Sequence, residues 1–269
     1  MAHLDSQTVL RSYSKIRAIY KALKRSLNQP KLLLFLSEFV KPGELVFDVG
    51  ANVGNYVSIF LKLGAKVVAI EPQQDCLKSL VSRFGNDDRV SIEPVALGAQ
   101  EKQSFIYLSE VRNPIASMSE EWIEAVKQSG RFRFFRWGSP QPVSVTSMDK
   151  MIEKYGAPSF CKIDAEGYEH EILKGVSFPL GRLSFEYHIE YLPKLESCLN
   201  TLAELGPYSF NFTVGEQPFF KSSVWLNSND LLKMLRTLSA RTLQGDIYGV
   251  LDKNRSEMRK LPNYLSKAF

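Results

Sequence analysis

The sequence predicts an α/β fold: a doubly wound, mostly parallel sheet preceded by an N-terminal helical extension. Three observations carry this expectation. From Glu44 onward, short apolar runs alternate with segments of helical spacing, as in βαβ units. A glycine turn closes the first run and opens a helix, where open α/β sheets place their ligand loops. Ahead of them, residues 6–37 hold no Asp or Glu but several Lys and Arg, with Val9, Tyr13, Ile16, Tyr20, Leu23 and Leu27 at helical spacing.

That basic helix should end at Asn28-Gln29-Pro30, and a short helix over Leu32–Val40 should follow. Then come a strand at Glu44–Val49, a helix at Val53–Leu63 and a strand at Lys66–Ile70. A helix at Gln73–Phe84 ends at Gly85, and a third strand covers Arg89–Val95. Later strands are expected at Ser159–Ile163, Leu183–Ile189 and Asp246–Leu251, with a helix near Tyr168–Leu173. Prolines and glycines break the rhythm over residues 110–142, which read as an insertion. The expected domains are an extension over 1–40, the main domain over 41–251 and a basic tail over 252–269.

Composition narrows the class. The chain has 269 residues, 44% hydrophobic and 23% charged, which excludes disordered and fibrous chains. The longest apolar run, Leu32–Leu36, is far short of the ~20 residues that span a bilayer. Cys76, Cys161 and Cys198 are scattered, without metal spacing. With no signal-peptide pattern at Met1-Ala2-His3, they point to reduced thiols and a cytoplasmic location. A net charge of +5 permits an acidic partner without requiring one.

The turn Asp48-Val49-Gly50-Ala51-Asn52-Val53-Gly54-Asn55 carries the most chemistry. It misses the dinucleotide pattern because Asn52 and Asn55 replace glycines, and no Gly-Lys-Ser/Thr follows for a phosphate loop. Asp48 would repel a pyrophosphate. It suits a cationic ligand group, such as the ammonium and sulfonium of S-adenosylmethionine. Glu71, ending the second strand before Pro72, can accept bonds from ribose hydroxyls. The alternative is a plain tight turn, with Glu71 merely starting a helix.

These residues resemble the FkbM family of S-adenosylmethionine-dependent methyltransferases. The signatures are Phe47–Gly54, Ile70-Glu71-Pro72, Val95-Ala96-Leu97-Gly98, Lys162-Ile163-Asp164-Ala165-Glu166-Gly167 with Glu169, and Phe185-Glu186-Tyr187-His188. The resemblance covers about Glu44 to Leu251. It implies a class I, Rossmann-like, seven-stranded sheet and methyl transfer, usually to a hydroxyl oxygen. Asp48, Gly50, Asn52, Gly54 and Asn55 would then hold the methionine end. Glu71 with Pro72 would hold the ribose, Ala96 and Leu97 would lie near the adenine, and Asp164 would complete the donor site.

Asp164 ends a predicted strand at the same sheet edge as the Gly50 turn. Glu186 and His188, two apart on a strand, share a face. The three form a candidate catalytic set, with His188 as base. They could instead ligate a divalent ion such as Mg2+. Competing structural roles are a core histidine for His188, and helix N-terminal charges for Glu166 and Glu169.

The segment Arg131–Trp137 interleaves cations and rings, suiting an acceptor pocket, a stacking surface or an amphipathic strand. The basic N-terminal helix reads as a lid, a dimer seam, a membrane-surface helix or a packed accessory helix. The expected function is O-methylation of a small molecule, natural product or glycan. Alternatives are nucleic-acid methylation, disfavoured by the two carboxylates after the fourth strand, and a catalytically silent binding module. Expected partners are therefore a small-molecule or glycan acceptor and, through the N-terminal helix, a second copy.

Overall fold

The computed structural model describes residues 29–109, 115–129, 136–238 and 244–252. Most of the basic N-terminal helix, Arg131–Phe135 and nearly all the tail lie outside them. Helix α1 spans 29–36. Gln29 and Pro30, read from sequence as a break, are helical, and 37–39 form a turn where helix was expected. There the Ser37 hydroxyl donates to the Leu34 carbonyl at 2.7 Å, a local bond that competes with the helix ladder.

The chain continues through β1 (Leu45–Val49), α2 (Asn55–Lys62), β2 (Lys66–Ile70), α3 (Gln74–Phe84), β3 (Val90–Glu93), β4 (Ala96–Gly98) and β5 (Lys102–Leu108). Next come β6 (Ala116–Ser117), α4 (Glu120–Gln128), β7 (Gln141–Ser147), α5 (Met148–Tyr155), β8 (Phe160–Ile163) and α6 (Glu169–Leu173). The last elements are β9 (Arg182–His188), α7 (Leu192–Leu205), β10 (Tyr208–Phe212), α8 (Ser228–Arg236) and β11 (Gln244–Leu251).

The main sheet has seven strands in the order β10-β11-β9-β8-β1-β2-β3. All neighbours pair parallel except β11, which runs against both β9 and β10. This is the expected doubly wound, mostly parallel sheet. Alternating strand side chains feed two cores. Phe47, Ile163 and Phe185 pack on one face with Leu199 and Leu231 of α7 and α8. Val46, Val67 and Phe160 pack on the other with Phe35, Phe60 and Leu80 of α1, α2 and α3. Phe39 and Phe160 lie 5.5 Å apart between ring centres, so segment 35–40 belongs to the core. The three cysteines are free and buried. Among the described residues no helix is long and apolar enough to cross a membrane.

A second sheet, β4-β7-β5-β6, was not foreseen. The supposed insertion contributes β6, α4 and the start of β7, and Trp122 of α4 is fully buried. Trp137 stacks edge-on against Trp122 at 6.2 Å, while its neighbour Arg136 is exposed.

Topology decides where the site lies. Strands β1, β2, β8 and β9 end at one edge. Because β11 is antiparallel to β9, its beginning lies there too, with Gln244 opposite His188 and Asp246 opposite Glu186.

Candidate active site

A cavity of about 640 Å³ opens at this edge, within the range of small-molecule sites. Asp48, Gly50, Asn52, Asn55, Glu71, Pro72, Ala96, Leu97, Asp164 and Glu186 all line it. Two residues of the sequence-derived set do not. Gly54 caps α2 in a left-handed conformation, and a side-chain carbon there would strike Phe84 beneath the loop. His188 is 4% exposed and stands behind Glu186.

The Gly50 turn is fixed by close approach. Gly50 has φ +78, and a Cβ there would sit 1.9 Å from the Asp164 carbonyl oxygen. Only glycine accepts both conditions. The Gly50 and Ala51 amides donate to the Ile70 carbonyl at 2.9 and 3.1 Å. The Asn52 amide donates to Glu71 Oε2 and the Gln73 amide to Glu71 Oε1, each at 2.8 Å. Glu71 therefore staples the turn to β2 while facing the cavity. Burial pushes its carboxyl up to about 7 against the pull of those bonds.

Asp48 is 1% exposed, and its Oδ2 is buried without a hydrogen-bond partner among the described residues. Burial raises it to about 6, opposed by the charge of Lys162. A buried acceptor on a cavity wall calls for a donor or cation. The ammonium of S-adenosylmethionine fits that requirement.

The second acidic cluster surrounds the end of β8. Lys162, 3% exposed, holds Asp164 Oδ2 at 2.7 Å and lies 4.3 Å from the Tyr56 ring centre. Burial opposes its charge, but Asp164, Tyr56, Asp48 and Asp246 together hold its pKa above the ordinary lysine value. Beyond it the chain turns sharply, with Glu166 at φ +48 and Gly167 at φ +90. Glu169 Oε1 accepts from the Ala165 and Gly167 amides at 3.0 and 3.2 Å. It organises this loop rather than merely meeting a helix dipole. The Ser117 hydroxyl ties the loop to β6 through the Glu166 carbonyl at 2.7 Å. Trp122 packs so closely on Gly167 that a Cβ there would lie 2.2 Å from the indole.

Glu186 is held at both oxygens, by His188 Nε2 at 3.1 Å and by Gln244 Nε2 at 3.1 Å. His188 also lies 3.8 Å from Glu166 Oε2 and 5.2 Å from the Trp122 ring. Of this pair, Glu186 lines the cavity and His188 does not. The possible metal set changes too. Glu166, Glu186 and His188 each offer a ligand atom, all within 4.8 Å of one another, whereas Asp164 is engaged by Lys162. An imidazole in the set suits a transition ion better than Mg2+.

Sequence reasoning missed Lys162, Tyr56, Gln244 and Asp246 as site residues, yet all four line the cavity. The available signal was a lysine inside the apolar strand Phe160–Ile163, which demands buried counter-charges.

A sequence profile described as the methyltransferase FkbM domain matches residues 48–234, more than half of the chain. The chain belongs to the FkbM methyltransferase family. The FkbM match runs from Asp48 past His188, and the β11 residues Gln244 and Asp246 fall outside it. The chain is also similar to hexuronic acid methyltransferase AglP of Haloferax volcanii. The identity is 27% over 182 residues, covering 65% of this chain and 69% of the relative. A solved FkbM methyltransferase from Methylobacillus flagellatus KT is 16% identical, with a TM-score of 0.47, over 77% of this chain and 43% of that one. A solved SAM-dependent O-methyltransferase from Thermotoga maritima is 13% identical, with a TM-score of 0.39, over 82% of this chain and 64% of that one. This chain thus spans less than half the length of the first solved relative.

Proposed function

We propose that this protein is an S-adenosylmethionine-dependent O-methyltransferase acting on a hydroxyl of a sugar or another small polar acceptor. The carrying observation is Glu186, fixed by His188 and Gln244 on the wall of the cavity that the Gly50 turn closes. S-adenosylmethionine supplies an electrophilic methyl carbon on a positively charged sulfur. The chain's part is to bind, align and take a proton. Asp48 would meet the donor's ammonium, Glu71 its ribose, and Ala96 and Leu97 its adenine. An alcohol is a weak nucleophile, so a fixed base beside it is useful. Glu186 is the group placed to accept the hydroxyl proton, and His188 positions it.

The similarity to a hexuronic acid methyltransferase supports a sugar-type acceptor. The same three groups, Glu166, Glu186 and His188, would hold a divalent ion if the reaction used one. Such an ion would lower the acceptor's pKa.

The test is a methyl-transfer screen by mass spectrometry with sugar, uronic acid, simple alcohol and RNA acceptors, with and without chelator. Transfer to a hydroxyl acceptor is expected. Transfer to RNA alone, or donor binding with no transfer, would contradict the proposal. Loss of activity on chelation, restored by a transition ion, would assign the acidic triad to a metal.

A further inference from the structure

One buried cation in the cavity wall has no part in the steps above. Lys162 lies opposite Asp48 in the β1–β8 register. The two strands are adjacent, so the side chains leave the sheet on the same face. The Lys162 ammonium reaches Asp164 Oδ2 at 2.7 Å, two residues on and just past the end of β8, and covers the Tyr56 ring of α2. Asp246, at the start of β11, lines the same cavity and feels Lys162 as its chief attractive charge. Carboxylates of β1, of the turn after β8 and of β11 thus share one cavity wall with this ammonium.

Arg83 is the other basic residue on the cavity wall. It is exposed and donates to the Val53 carbonyl. Lys162 is therefore the buried counter-charge of this cluster among the described residues.

We infer that Lys162 is a positioning residue for the methyl donor: its ammonium fixes Asp164 against the Gly50 turn and keeps Asp48 available as a carboxylate for the donor's ammonium. The inference rests on the donor crevice proposed above. The groups facing the cluster are Asp48 from β1, Tyr56 from α2, Asp164 from β8 and Asp246 from β11, with Glu186 of β9 opposite Asp246. Without the cation, the buried Asp48 carboxyl favours taking up a proton. A protonated Asp48 no longer attracts a cationic ligand. Asp164 also loses its anchor, and its carbonyl forms the surface on which Gly50 rests.

The experiment is calorimetric titration with S-adenosylmethionine across pH, using the full chain and its Lys162→Met variant. Titration of the donor itself is common to both and cancels in the ratio of affinities. At neutral pH the variant is expected to bind about tenfold more weakly or worse, the equivalent of one pKa unit. The deficit should shrink as pH rises. An affinity equal to wild type, or a deficit constant across pH, would overturn the inference, because a merely structural loss has no such profile.

Should Lys162→Met show no cooperative thermal transition, Asp246→Asn decides. Removing one carboxylate that shares the cation should carry donor binding to lower pH than in wild type, and an unmoved acid limit would overturn the inference. Failure of the wild-type chain to bind any donor would instead remove the underlying crevice reading.

Discussion

The α-carbon of Gly50 presses on the carbonyl of Asp164: a side-chain carbon at position 50 would lie 1.9 Å from that oxygen. This contact joins the Gly50 turn after β1 to the acidic loop after β8. The Asp164 amide also donates to the Val49 carbonyl at 2.9 Å, so the two halves of the site are held in one relative position.

Gly50→Ala should therefore disturb both halves. A left-handed alanine costs ~1–2 kcal/mol, and the backbone shift forced by overpacking adds ~1–3 kcal/mol. Urea denaturation should show a loss of about 3 kcal/mol, with donor binding undetectable by calorimetry. A stable variant with normal affinity would mean that the turn does not form the donor wall.

Glu71 gives a pH prediction. Its pKa rises from an ordinary 4.5 to about 7 on burial. A carboxyl raised in the folded state stabilises the fold below its unfolded pKa and loses that contribution as pH climbs through the folded value. Wild-type stability should thus carry a falling contribution across that window, on the order of 3 kcal/mol. Glu71→Gln should flatten it in a series of melting curves. Parallel curves for the two proteins would show that burial does not perturb this group.

Much of this was legible before the structure. The elements from β1 to α3 fall within two residues of their expected limits, because each strand is an apolar run closed by a turn. The second sheet was not legible. β7, Gln141–Ser147, carries Pro142 and alternates polar residues, and in β5 Ile106 alone is buried. β10 is fully buried but contains Ser209 and Asn211, which mask its apolar pattern. In the site, Asp48, Glu71, Asp164 and Glu186 stood out through local motifs. Gln244 and Asp246 did not, since only the antiparallel seating of β11 against β9 brings them to that edge. His188 is a candidate base from the sequence, but its place beside Glu186 and against Trp122 depends on packing that the local motif does not encode.

That placement separates two residues kinetically. Glu186→Gln should lower turnover about 100-fold or more, as loss of a base does. His188→Ala should lower it less, about tenfold, because it removes only one of the two groups holding Glu186. Donor affinity should be unchanged in both. Single-turnover rates with saturating donor provide the comparison, and an equal or larger loss at His188 would make it the base.

Trp122 holds the acidic loop through Gly167 and flanks His188. Trp122→Ala should cost ~3–5 kcal/mol by cavity formation. Fluorescence-monitored denaturation would measure it. A cost below about 1 kcal/mol would place α4 outside the cooperative core.

The most direct measurement is a crystal structure of the chain soaked with S-adenosylhomocysteine. The expected density places the ribose hydroxyls within hydrogen-bond distance of Glu71 and the amino group toward Asp48 Oδ2, with the sulfur facing Glu186. Density for a different nucleotide in that crevice, or the soaked ligand bound elsewhere, would contradict the assignment.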